Sequence, residues 1–164
     1  MAESARISRG ANTPLSELPG SQKDFAALVI PGGFGAAKNL CNHATVAQGD
    51  ASKLTVNSDV VASLKAFHAA EKPIGLCCIA PVIAAATLKC EVTVGEHEGD
   101  KWPFGGTVGA ITGYGGTHIN KGIDGVHVDH ANKVVTSPAY MYDGLPHEIF
   151  DNVGQMIDEV VKLA

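Results

Sequence analysis

Lys72-Pro73-Ile74-Gly75-Leu76-Cys77-Cys78-Ile79-Ala80-Pro81 reads as a buried strand that runs straight into a helix, with a cysteine at the corner. A thiol on a sharp strand-to-helix turn is exposed and lies near the positive end of a helix, which is the setting of a nucleophilic cysteine. Upstream, Pro31-Gly32-Gly33-Phe34-Gly35 reads as the glycine turn that ends another strand. Such a turn beside the thiol aims backbone N–H groups at a developing oxyanion. Two such corners in one α/β pattern point to a reaction centre.

The rest of the chain is organised around these two corners. Phe25 to Ile30 is a continuous apolar run, as expected of a central parallel strand buried on both faces. Ala36 to Cys41 reads as a short helix, and the polar stretch Asn42 to Thr55 as a loop. Asn57 or Ser58 caps a helix that runs to about Ala70, with Val60, Val61, Leu64, Phe67 and His68 on one face. Ile74 to Cys77 is the second buried strand, and Pro81 to Leu88 a small-residue helix that lies close against the sheet. Cys90 to Val94 is a short strand. Gly105 to Gly116 is too glycine-rich to assign. Gly125 to Asp129 and Asn132 to Thr136 read as a pair of strands. Pro146 to Ala164 is an amphipathic helix with Ile149, Val153, Met156, Ile157, Val160 and Val161 on its apolar face. Strand and helix in alternation is the grammar of a doubly wound α/β sandwich, whose sites collect at the carboxyl ends of the strands. Gly32-Gly33 and Cys77-Cys78 both stand at such ends.

Bulk properties narrow the function. A chain of 164 residues with 45% hydrophobic residues forms one globular domain with a real core. Aromatics make up only 5%, which suits helix-on-sheet packing and not a stacking platform for bases. The net charge of -5 comes with no basic stripe, so no nucleic-acid partner is expected. No apolar run is long enough to span a bilayer, and Met1-Ala2-Glu3-Ser4-Ala5 lacks the apolar core of a secretory signal. The four cysteines, Cys41, Cys77, Cys78 and Cys90, form no Cys-x-x-Cys. They suit neither a disulfide framework nor zinc, and reduced thiols in an intracellular compartment are the simpler expectation.

Leu28-Val29-Ile30-Pro31-Gly32-Gly33-Phe34-Gly35-Ala36-Ala37-Lys38-Asn39-Leu40, the cysteine elbow, and Val126-His127-Val128-Asp129 followed by Asn132-Lys133-Val134-Val135-Thr136-Ser137-Pro138-Ala139 resemble the ElbB (enhancing lycopene biosynthesis) family. That family lies in the PfpI / class I glutamine amidotransferase-like superfamily. The resemblance runs from about Ala5 to the C-terminus and treats residues 1–164 as a single PfpI-type domain. It implies a flavodoxin-like three-layer α/β sandwich with a mainly parallel sheet. Bacterial members are described as glyoxalases that convert glyoxal to glycolate without an added cofactor, and vertebrate relatives are mitochondrial. The resemblance therefore implies a small carbonyl substrate, no cofactor, no metal, and a homodimer. It also implies a cytoplasmic location, or a mitochondrial one in an animal.

Residue by residue, the elbow cysteine of the superfamily lies three positions before a proline, which matches Cys78 to the nucleophile and leaves Cys77 in the core. Gly33 and Ile79 match the two oxyanion amides. His118, in Gly115-Gly116-Thr117-His118, is the candidate base; the plainer alternative is a surface histidine near a strand start. His127 and His130 are an i, i+3 couple without a visible third metal ligand. Family members begin with a further strand and helix that carry Gly-x-x-Asp-Gly-x-Glu. Nothing here matches it, so the chain is expected to be truncated at its N-terminus relative to the family. Two other readings stand beside the glyoxalase. One is a non-enzymatic stress- or redox-responsive protein whose Cys78 oxidises to a sulfenic acid. The other is glutamine amidotransfer, disfavoured because Ala80 stands where that elbow needs glycine.

Overall fold

The computed structural model describes residues 2–46 and 51–164. Six strands are present among them: β1 (Leu28–Ile30), β2 (Ile74–Cys77), β3 (Glu91–Val92), β4 (Thr117–His118), β5 (His127–Asp129) and β6 (Val134–Ser137). Four form the main sheet in the order β1-β2-β6-β5, and β3 with β4 makes a small parallel pair. β1, β2 and β6 run parallel, with Leu28 opposite Ile74 and Ile74 opposite Val134. β5 and β6 form an antiparallel pair with Val128 opposite Val135.

The helices are α1 (Ala2–Ser8), α2 (Leu18–Ser21), α3 (His43–Val46), α4 (Ser58–Ala69), α5 (Pro81–Leu88), α6 (Gly106–Gly113) and α7 (Pro146–Leu163). α4 and α5 cover one face of the main sheet and α7 the other, which makes the three-layer, flavodoxin-like sandwich. Alternation along β2 sets the two cores. Ile74 and Leu76 face Leu64, Phe67 and Ile83, while Cys77 faces Val135, Met156 and Val160. Each of these fully buried large side chains contributes about 1.5–3 kcal/mol relative to exposure. Asn57 starts α4 as expected, its Oδ1 accepting from the N–H groups of Asp59 and Val60.

The structure changes several sequence expectations. β1 is an edge strand three residues long, not a central one. Val29 lies on the α7 side of the sheet, beside Gly75, and is 43% exposed. The stretch expected as a loop carries α3 and a turn of 3-10 helix at Ala51–Lys53; its residues 47–50 lie outside the described residues. The unassigned glycine-rich stretch holds α6. On α7 the packed side is Ile149, Asn152, Met156 and Val160, while Ile157 is 38% exposed and Val161 67%.

Asn152 is fully buried, and its amide ties two connections together. Its Oδ1 accepts from the Ala139 N–H at 2.9 Å, and its Nδ2 donates to the Gly125 carbonyl at 2.9 Å. Ala139 has φ +45°, and this bond holds it there. Asn152→Ala leaves both backbone groups unsatisfied and is expected to lower stability by about 2–4 kcal/mol, read as a shifted denaturant midpoint.

Candidate active site

Cys78 sits at the corner between β2 and α5 with φ +60°, a conformation rare for a residue with a side chain. The corner is held on both sides. The Cys78 N–H donates to the Ser137 carbonyl at 3.0 Å, and the Ala80 N–H donates to the Cys77 carbonyl at 3.1 Å. Pro81 then opens α5 at a position where a missing N–H costs nothing. The turn after β1 lies against this corner, and Gly33 within it has φ +92°. Neither the Gly33 N–H nor the Ile79 N–H has an acceptor among the described residues. Both residues line one cavity with Cys78, of about 540 Å³. A thiol and two unengaged N–H groups at the carboxyl ends of adjacent parallel strands can add to a carbonyl and hold the oxyanion that forms.

The other cysteines lack this access. Burial pushes the Cys77 and Cys41 thiols up, and the Cys41 Sγ lies 3.5 Å from the Ala36 carbonyl. Burial, with the Asp129 carboxylate adding to it, takes the Cys90 thiol up to about 12. Cys78 is the half-buried one of the four.

The histidine that shares the cavity is His43, on α3. It is 4% exposed, and its Nδ1 lies 2.8 Å from the Tyr114 hydroxyl. The two rings meet edge to face, with centroids 5.8 Å apart. Burial holds the imidazole below its ordinary pKa, so it is neutral near pH 7. The hydroxyl can donate to Nδ1 or accept from it; in the tautomer with Nδ1–H donating to Tyr114, Nε2 keeps its lone pair as a proton acceptor.

His118 is not among the residues that line the cavity. It lies on β4, where its Nε2 accepts from the Val94 N–H at 3.3 Å. Burial, and then His97, hold it below its ordinary pKa. The Nε2 of His127 lies 3.1 Å from Glu91 Oε2, and no group of three or more metal-ligating side chains occurs among the described residues. No helix among the described residues is long and apolar enough to cross a membrane.

This mainly parallel α/β sandwich, with a cysteine at the elbow and a glycine turn beside it, is similar in sequence and in fold to several known proteins. No family model matches the chain. It is 49% identical over 166 residues to the rat protein named ES1 protein homolog, mitochondrial. It is 49% identical over 166 residues to the human glutamine amidotransferase-like class 1 domain-containing protein 3, mitochondrial. Each alignment takes in 99% of this chain and 60% of the relative. The zebrafish ES1 protein, mitochondrial, is 35% identical, with 63% of its length covered. The chain thus spans about three fifths of the length of these relatives. Among solved structures it resembles an isoprenoid biosynthesis protein with amidotransferase-like domain from Ehrlichia chaffeensis. That likeness has a TM-score of 0.81 and 29% identity, and covers 99% of this chain and 69% of that one.

Proposed function

We propose that this chain is a cysteine-dependent, cofactor-independent glyoxalase-like enzyme that acts on small reactive dicarbonyls, with glyoxal converted to glycolate as the simplest case. The observation that carries it is the half-buried Cys78 thiol at a left-handed corner, in one cavity with the unengaged N–H groups of Gly33 and Ile79. Sγ adds to an aldehyde carbon, and the two N–H groups stabilise the oxyanion. A proton then passes from that carbon to its neighbour, which turns the hemithioacetal into a glycolate thioester, and water releases the acid. His43 takes the place that the sequence suggested for His118: a neutral imidazole in the same cavity, fixed by Tyr114, suits a carrier of that proton. The ElbB resemblance supports the same chemistry. Glutamine amidotransfer is less well served, because no Asp, Glu, Lys or Arg is among the described residues that line the cavity to meet a zwitterionic amino acid. The reading also carries over the superfamily's homodimer, and the mitochondrial placement that the relatives' names give to them.

The test is glycolate formation from glyoxal by the purified chain, set against two histidine variants. His43→Gln keeps a hydrogen-bonding amide near Tyr114 and is expected to lower turnover about 10²–10⁴-fold with little change in melting temperature. His118→Gln is expected to cost far less. No glycolate from the parent chain, with Cys78 oxidised readily by peroxide, moves the assignment to a redox-responsive protein.

A further inference from the structure

We propose that the cavity beside Cys78 selects an uncharged carbonyl compound with a bulky apolar body, an aryl or branched-alkyl α-oxoaldehyde, in preference to glyoxal. This rests on reading Cys78 as the nucleophile and specifies what the nucleophile meets.

Size is the first argument. About 540 Å³ lies in the range of drug-sized ligand pockets and far exceeds what a two-carbon dialdehyde fills. A substrate that leaves most of the cavity wet gains little from desolvation and is poorly oriented. Lining is the second. Among the described lining residues the polar side chains are the Cys78 thiol, the His43 ring, the Thr107 hydroxyl and the Tyr140 phenol, with no Asp, Glu, Lys or Arg. A carboxylate or ammonium on the substrate would lose hydration without gaining a partner.

The third argument is where the aromatic rings stand. Phe34, Phe104 and Tyr140 come from three separate connections, after β1, before α6 and after β6, and all three border this one cavity. They are 74%, 51% and 57% exposed, in a chain with few aromatics to spare. Two of the connections are fixed independently of any ligand. Trp102, just before Phe104, packs against Tyr142 with ring centroids 5.0 Å apart, and the Asp143 N–H donates to the Lys101 carbonyl at 2.8 Å. Tyr140 follows Ala139, which Asn152 holds. Apolar rings presented on a braced backbone gain affinity when an apolar body covers them, at little ordering cost.

The chemistry of such a substrate balances without a further reagent. The Sγ–carbon bond forms as the aldehyde π pair moves to oxygen, and the thiol proton ends on that oxygen. The hydrogen on that carbon leaves as a proton and one returns to the neighbouring carbonyl carbon. The first carbon is thereby oxidised to a thioester and the second reduced to an alcohol. Water then cleaves the thioester, giving an α-hydroxy acid and restoring the thiol. The product is an anion, and no Lys or Arg is among the described lining residues; Lys38 lies over the Phe34 ring with Nζ 5.5 Å from its centroid.

The experiment uses two readouts on the whole chain. Alkylation of Cys78 by iodoacetamide, placed by peptide mapping, is timed with acetophenone, hydroxyacetone or L-glutamine at equal concentration. Turnover is compared for phenylglyoxal and glyoxal. Acetophenone alone is expected to protect Cys78, and kcat/KM for phenylglyoxal is expected to exceed that for glyoxal about tenfold or more. Phe104→Ala removes a half-exposed ring and is expected to bring acetophenone protection down towards that of hydroxyacetone. Equal protection by all three compounds, or protection by glutamine alone, overturns the proposal. Protection by acetophenone with neither phenylglyoxal nor glyoxal turned over leaves the cavity preference standing and overturns the glyoxalase reading. Turnover of phenylglyoxal and glyoxal at equal efficiency without protection does the reverse.

Discussion

Cys78→Ser is expected to reduce acid release from an α-oxoaldehyde by about 10³-fold or more, while Cys77→Ser retains most of it. The two residues are neighbours in sequence and belong to different environments. Cys77 is the last residue of β2, faces Val135 and Met156 under α7, and is held protonated by burial. Its register partner on β6 is Ser137, whose buried hydroxyl has no hydrogen-bond partner among the described residues. A serine at 77 places a second hydroxyl on the same face of the sheet, which limits the stability cost of the exchange. Cys78 lies past the strand end and reaches the cavity. A serine there keeps the corner geometry and loses the nucleophile, because an alcohol is far weaker than a thiol at neutral pH. The paired assay carries its own control: both variants should melt close to the parent. Loss in Cys77→Ser with activity kept in Cys78→Ser would place the reacting sulfur on the wrong side of the sheet for this site.

The elbow was legible because its signals are local. A continuous apolar run, a cysteine and Pro81 within ten residues specify a strand, a corner and a helix start, and the structure forms them at Ile74–Cys77 and Pro81–Leu88. The edge position of β1 was not legible, since Phe25 to Ile30 is as apolar as a central strand. What exposes Val29 is the strand order, a non-local property. α6 escaped notice because Gly106, Gly109 and Gly113 lower its intrinsic helix propensity, and tertiary burial of Ile111 overrides that. The place of His43 in the cavity has no local signal for the same physical reason. It lies in a polar stretch without periodicity, and the group that fixes its ring, Tyr114, is distant in sequence. The glycines around His118 are a local signal with a local cause: Gly116 packs against Ala85 where β4 begins, and a Cβ there would lie 2.7 Å from the Ala85 Cβ. The sequence marks the Cys78 corner and the glycine turn, and the structure brings them to one cavity. The candidate proton carrier needed the fold.

Gly32→Ala is expected to damage both the elbow and the turn that faces it. A Cβ at position 32 would stand 2.6 Å from the Cys78 Cβ, 2.7 Å from the Cys77 carbonyl oxygen and 3.0 Å from the Ile79 nitrogen. All three atoms belong to the elbow. The elbow has little freedom to move, because the Cys77 carbonyl accepts from Ala80 and the Cys78 N–H is bound to Ser137. The strain therefore falls on the turn after β1, an edge strand held by β2 alone within the sheet. Displacing that turn carries the Gly33 N–H away from Ile79 N–H, so the oxyanion loses a donor. Expected are a stability loss of about 1–3 kcal/mol and a fall in turnover of about 10²–10³-fold, measured by denaturant titration and by initial rates. Gly35→Ala is the matched control. Its φ of -59° suits alanine, and a Cβ there meets nothing within 4 Å. Gly35→Ala should therefore keep both stability and rate. If Gly32→Ala turns over at the parent rate, the glycine turn takes no part in oxyanion stabilisation. The site would then reduce to the Cys78 thiol and the single N–H of Ile79.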